Sequence, residues 1–146
     1  MLKHVESNPA RGFVPIAIER VADEVASDEA GPTAYQQLHI RASVRTPPYG
    51  AVKAAILEYT LTQAAALARK RIRVNCIAPG SIEFPGGTWA RAKANNPDLY
   101  GRILRSIPFG RLGRPEEIAQ VALFLSSPLA SWVTGQNIAV DGGQML

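Results

Sequence analysis

The pattern of apolar and polar positions divides the chain near Pro47. Upstream, Pro9, Pro15 and Pro32 cut residues 1–46 into short pieces with little period. Ile18, Val21 and Val25 share one face of a short helix predicted over Ile16 to Ser27, and residues 36–44 alternate weakly in the manner of a strand. This first segment is expected to be atypical and weakly structured. Downstream the pattern sharpens. Proline fits the first turn of a helix but not its interior, so Pro48 opens a helix whose body, Tyr49 to about Lys70, is rich in Ala, Leu, Gln and Lys. Val52, Ala55, Ile56, Tyr59, Gln63, Ala66 and Leu67 recur along it at helical spacing. Arg71 to Ala78 alternates and then turns continuously apolar, which predicts a buried parallel strand ended by Pro79-Gly80.

Ser81 to Pro97 is rich in Gly, Pro and Asn and predicts a loop, of a length that usually signals function. Asp98 to Ser106 predicts a helix. After the turn marked by Gly110, Gly113 and Pro115, an amphipathic helix runs through Glu116, Glu117, Ile118, Val121, Ala122, Phe124 and Leu125. Pro115 takes an early position in it and the two acids lie near its positive end. Trp132 to Gly135 predicts a turn, Gln136 to Val140 a last strand, and Asp141-Gly142-Gly143 its stop. Strands separated by helices favour an α/β fold, with parallel strands, right-handed crossovers and covering helices over residues 47–146.

Composition narrows the function. A chain of 146 residues, 47% hydrophobic and 19% charged, suits one globular domain rather than a disordered segment. The net charge of +4 is spread in small clusters without interleaved aromatics, so no nucleic acid is expected as a partner. The single cysteine, Cys76, rules out an internal disulfide and a metal site built from cysteines. It sits in an apolar run as a small core residue. With only His4 and His39, no metal is expected. No apolar run is long enough for a membrane span, and the first residues lack the apolar segment of a signal peptide. A cytoplasmic setting is therefore expected.

The candidate chemistry begins at Tyr49 and Lys53, four residues apart on one face of the predicted helix. A phenol with an ordinary pKa near 10 is a poor base at neutral pH. A neighbouring ammonium favours the phenolate. Lowering the pKa by about 3 units takes roughly 4 kcal/mol of differential stabilisation. A lysine and a cationic nicotinamide in a dry site are able to supply that together, letting the tyrosine exchange a proton with a hydroxyl or carbonyl while hydride moves. The pair has a bland alternative, an exposed tyrosine beside a solvated lysine.

Four ordered segments decide between them. Tyr49-Gly50-Ala51-Val52-Lys53 resembles the start of the active-site helix of the short-chain dehydrogenase/reductase family. Ile72 to Gly80 is similar to that family's strand and Pro-Gly turn, Phe109 to Ala119 to the turn and helix after its substrate loop, and Val133 to Gly143 to its terminal strand. The resemblance runs from about Pro47 to Gln144. It is nearest to 3-oxoacyl-carrier-protein reductases. It implies the carboxyl-terminal half of a Rossmann-like, doubly wound domain that works with NAD or NADP on a small secondary alcohol or ketone. By the same resemblance Tyr49 is the general acid/base, and Lys53 assists it and hydrogen-bonds the nicotinamide ribose. The backbone at Pro79, Gly80 and Ile82 approaches the nicotinamide. Glu83 to Tyr100 forms the loop over the substrate, with Trp89 and Tyr100 as candidate lining. Phe84 stands where many relatives carry a phosphate-binding Thr.

Three features of the family pattern are missing. No strand with a glycine-rich turn opens the chain, so the main site for the adenosine and pyrophosphate is absent and dinucleotide binding is expected to be weakened or lost. The residues that choose between NAD and NADP belong to that same half. The catalytic serine has no counterpart at its usual distance; Ser43, six residues before Tyr49, is the nearest candidate. The family's structural asparagine has none either, since Asn8 is followed by Pro9. A truncated, non-catalytic fragment acting by association is the competing expectation. Half a parallel sheet leaves an open edge and an apolar face, which homo-oligomerisation would cover.

Overall fold

A computed structural model describes residues 47–146 of the protein. Expectations for residues 1–46, including Ser43 and Asn8, lie outside the described residues. The chain begins with α1 (Pro47–Leu67), which a single 3₁₀ turn (Ala68–Lys70) extends. Then follow β1 (Cys76–Pro79), α2 (Thr88–Asn95), α3 (Pro97–Arg105), α4 (Pro115–Ser126), a 3₁₀ turn (Pro128–Ala130) and β2 (Asn137–Val140). β1 and β2 pair in parallel, from Cys76 opposite Asn137 to Pro79 opposite Val140. The architecture is α/β, with parallel strands and covering helices, as the alternation of patterns implies.

Two apolar clusters hold the elements. In one, Ile77 of β1 packs with Ile118 and Leu125 of α4 and with Ala130, joined by Ile82, Val121, Val133, Ile138 and Val140. α4 thus covers one face of the strand pair. Glu117 starts it by accepting the Arg114 amide at 2.8 Å, and Pro115 occupies the first turn, where no amide is needed. In the other cluster, Trp89 and Ala92 of α2 pack with Ile103 of α3 and with Ile107 and Leu112. α3 starts where Asn96 Oδ1 accepts the Leu99 amide at 3.1 Å.

The structure corrects three sequence expectations. The first strand begins at Cys76, not Arg71. At Val74 the hydroxyl of Thr134 accepts the amide at 3.0 Å, where a regular ladder would offer a carbonyl, and Asn75 spends its side chain on Val133 and Gln136. The segment from Ser81 to Pro97 is not all loop. It contains α2, because Trp89 and Ala92 gain burial on a shared face that a glycine- and asparagine-rich composition hides. Finally, α1 does not bury a continuous stripe. Val52, Ala55, Tyr59 and Ala66 are exposed, while Thr60 and Ala64 are buried. A helix of 21 residues is about 31 Å long, more than the two described strands are able to cover. α1 meets the sheet near its end, where a Cβ on Gly135 would lie 3.5 Å from that of Ala64.

Ile103 is 1% exposed at the centre of the second cluster. Ile103→Ala is expected to lower unfolding free energy by about 2–5 kcal/mol, read as a lower urea midpoint with an unchanged slope. An unchanged midpoint would mean that this cluster does not hold α2 and α3.

Candidate active site

Tyr49 and Lys53 stand one turn apart in the first turns of α1, and both are half-buried. Lys53 Nζ lies 5.3 Å from the centre of the Tyr49 ring, within the range of a cation–π contact. The structure therefore brings the predicted pair together.

Pro79, Gly80 and Ile82 form a second group where β1 leaves the sheet. The Gly80 amide donates to Val140 at 3.0 Å. A Cβ at Gly80 would sit 2.5 Å from Asp141 Cα, so only glycine fits between the two backbones. The next residues are fixed on the other side. Gly113 donates to the Ser81 carbonyl and accepts the Glu83 amide, each at 2.9 Å, making a parallel bridge at Ile82. A small cleft of about 110 Å³ opens here, bounded by Ile82, Phe109, Val140 and Asp141. The carboxyl ends of parallel strands are where ligands settle in open α/β sheets.

Beyond the bend, Glu83 gathers the loop. Its Oε2 accepts the Tyr100 hydroxyl at 2.7 Å and its Oε1 the Lys93 ammonium at 3.1 Å. Lys93 Nζ also lies 5.2 Å from the Tyr100 ring centre. The Tyr100 hydroxyl, more than Lys93, holds the Glu83 carboxyl below the usual carboxylate range. Burial first, then the hydrogen bond to Glu83 and its charge, pushes the Tyr100 phenol up. Glu83 and Tyr100 of this triad line a cleft of about 440 Å³, together with Leu104, Arg111 and Arg114. Arg111 is turned away to Glu117, and that pairing pushes the Glu117 carboxyl down to about 2. Neither cleft is lined by Tyr49 or Lys53.

Of the two aromatic candidates for the pocket, Tyr100 lines the larger cleft and Trp89 does not. Trp89 is 4% exposed and belongs to the core. Phe84 packs its ring against Gly87. Lys93 escaped sequence reasoning altogether. Glu83, Lys93 and Tyr100 follow no period, and only the fold of the loop joins them. Among the described residues no cluster of His, Cys, Asp and Glu is suited to a metal, and no helix is long and apolar enough to cross a membrane.

Parallel strands with a glycine-dependent bend at their carboxyl ends and a tyrosine–lysine pair on the preceding helix define a Rossmann-like α/β class. Comparison with known proteins narrows it. The family model described as Enoyl-(Acyl carrier protein) reductase matches residues 33–145. Isoepoxydon dehydrogenase patN of Aspergillus clavatus is 48% identical over 101 residues, covering 68% of this chain and 39% of that protein. The 3-oxoacyl-[acyl-carrier-protein] reductase FabG of Thermotoga maritima is 47% identical over 98 residues, covering 67% and 38%. Among solved structures, a short-chain type dehydrogenase/reductase from Mycobacterium ulcerans aligns with a TM-score of 0.66 at 34% identity, over 75% of this chain and 38% of that one. A 3-oxoacyl-[acyl-carrier protein] reductase with bound NAD from Brucella melitensis aligns at 0.57 and 40% identity, over 67% and 33%. The chain belongs to the short-chain dehydrogenase/reductase family. It spans about two-fifths of the length of these curated relatives.

The Glu83 triad yields a pH dependence. A carboxyl whose folded pKa is lowered contributes stability above its unfolded pKa, and that contribution is lost as pH falls through the folded value. Tyr100→Phe is expected to cost about 1 kcal/mol at neutral pH. In urea titrations the gap between variant and parent should shrink in acid, once Glu83 is protonated. A gap of equal size at both pH values would contradict the charge-assisted bond.

Proposed function

We propose that the chain carries the acid/base and nicotinamide-facing part of an NAD(P)-dependent oxidoreductase acting on a small secondary alcohol or ketone. The observation that carries this reading is the Lys53 ammonium 5.3 Å from the Tyr49 ring centre, on the helix that feeds β1. α1 reaches the amino edge of the strands near its end, where Ala64 meets Gly135 just before β2. A helix feeding a parallel strand runs back along it, so the start of α1 belongs at the carboxyl edge, the side of the Pro79-Gly80 bend.

The residues present suit one end of a dinucleotide better than the other. The bend offers a backbone bare of side chain at Gly80 and an apolar wall at Ile82, suited to a flat ring. Phe84 offers no hydroxyl to a phosphate. The dinucleotide, when bound, supplies or accepts the hydride. In the reducing direction Tyr49 gives its proton to the carbonyl oxygen, and in the oxidising direction it takes the hydroxyl proton. Lys53 favours the phenolate through its charge and holds the ribose. The Glu83–Lys93–Tyr100 triad keeps the loop folded beside the cleft. NAD or NADP is the cofactor class. A cytoplasmic setting is in keeping with the single cysteine.

A second reading has its own support. Val52, Tyr59, Leu129 and Trp132 are exposed, Trp132 at 99%, and the chain spans about two-fifths of its curated relatives. Such a surface suits a homo-oligomer, and a chain acting only by association would need no cofactor.

Titration with NADH and NADPH, followed by nicotinamide fluorescence, separates the two. The oxidoreductase reading predicts saturable binding that Lys53→Ala weakens about tenfold or more, since a hydrogen bond to a charged group is worth about 1.5–3 kcal/mol. Tyr49→Phe should keep binding and abolish turnover of any ketone the parent reduces. No saturable binding by the parent would favour the association reading.

A further inference from the structure

We propose that Gln144 is a positioning residue, tying the bend proposed to face the nicotinamide to the end of α3, the helix whose Tyr100 lines the larger cleft. Gln144 is 5% exposed and Ser81 is 2% exposed. Gln144 Oε1 accepts the Ser81 amide at 3.0 Å. Its Nε2 donates to Ser81 Oγ at 3.0 Å and to Ser106 Oγ at 3.4 Å. A carboxamide has one acceptor and two donors. The Ser81 amide is able only to donate, which fixes the carboxamide with its oxygen towards the bend and its nitrogen between the two hydroxyls. Ser106 Oγ in turn donates to Ile103 at 2.8 Å, leaving its lone pairs for Gln144 and anchoring the bridge to the last turn of α3.

The backbone that presents Gln144 is itself fixed. Asp141 Oδ1 accepts the Gly143 amide at 2.9 Å and Oδ2 the Met145 amide at 3.0 Å. Gly142 and Gly143 take positive φ values of 63° and 85°, so the chain turns sharply after β2 and carries Gln144 back under Ser81. The turn begins at the residue whose Cα closes on Gly80. A buried side chain needed only for bulk would be apolar, because a buried carboxamide is tolerated only when its bonds are made. Here two of them hold Ser81 and one reaches Ser106. A displacement at the end of α3 is therefore transmitted to the residue between Gly80 and Ile82.

The role of the bend rests on the proposed function, but the hydrogen-bond bridge does not, and the experiment separates them. Amide hydrogen exchange of the whole chain is followed by NMR at Ser81 and, as reference, at Cys76, whose amide donates to Gln136 at 2.7 Å. Gln144→Met, which keeps length and loses the polar atoms, should speed Ser81 exchange about tenfold and leave Cys76 unchanged. Gln144→Glu, which keeps an acceptor, should restore most of the protection. NADH affinity should fall about tenfold in Gln144→Met, as the loss of one buried hydrogen bond implies. Ser106→Ala is a gentler second variant. Ser81 should stay protected in it while NADH affinity falls severalfold. Equal acceleration at Ser81 and Cys76, or none at Ser81, overturns the bridge. NADH affinity that stays constant in both Gln144→Met and Ser106→Ala overturns the positioning role. If the parent binds no NADH, the functional reading fails, and the Ser81–Cys76 comparison still decides whether Gln144 holds the bend.

Discussion

Where β1 and β2 leave the sheet, the backbones at Gly80 and Asp141 approach so closely that a side chain on Gly80 would overlap Asp141 Cα, at 2.5 Å. That approach lets the Gly80 amide reach the Val140 carbonyl and extends the parallel pairing one residue past the last strand residue. It sets the direction in which Ser81 and Ile82 emerge. Ser81 meets Gln144 because the turn after Asp141 brings Gln144 beneath it, and Ile82 meets Gly113 because the bend turns the chain towards the start of α4. The loop, the cleft beside it and the small cleft at the strand ends all take their places from this one backbone contact.

Much of this was legible in the sequence, and the reasons differ from residue to residue. Pro48 and Pro115 mark helix starts because their rings and missing amides fit only a first turn. The apolar runs around Ile77 and Ile138 mark strands because these side chains pack beneath α4 with Ile118 and Leu125. The strand boundary at Cys76 was hidden, since the hydroxyl of Thr134, some sixty residues away, takes the place of a ladder carbonyl. α2 was hidden because its burial rests on Trp89 and Ala92 within a composition typical of loops. Tyr49 and Lys53 were visible through a spacing that follows directly from helix geometry. Glu83, Lys93, Tyr100, Ser81 and Gln144 were not visible as groups, because tertiary folding alone assembles them.

Family membership sets the frame for the chemistry of the chain. The residues that match the family bring Lys53 over the Tyr49 ring and bend the chain sharply at Gly80. A glycine-rich turn for the pyrophosphate is not among them. The matched residues cover about two-fifths of the length of the curated relatives. In this chain the loop is still folded on its own polar contacts, with Glu83 charged and Tyr100 neutral at physiological pH. The local order of the loop and the bend is thus supplied by the described residues themselves.

The most direct measurement of the central claim is the amide chemical-shift response of the whole chain to added NADH. The account predicts saturable shifts concentrated at Gly80, Ser81 and Ile82, with Gly135 at the opposite edge of the strands unmoved. Shifts absent from the bend, while residues elsewhere respond, would contradict it.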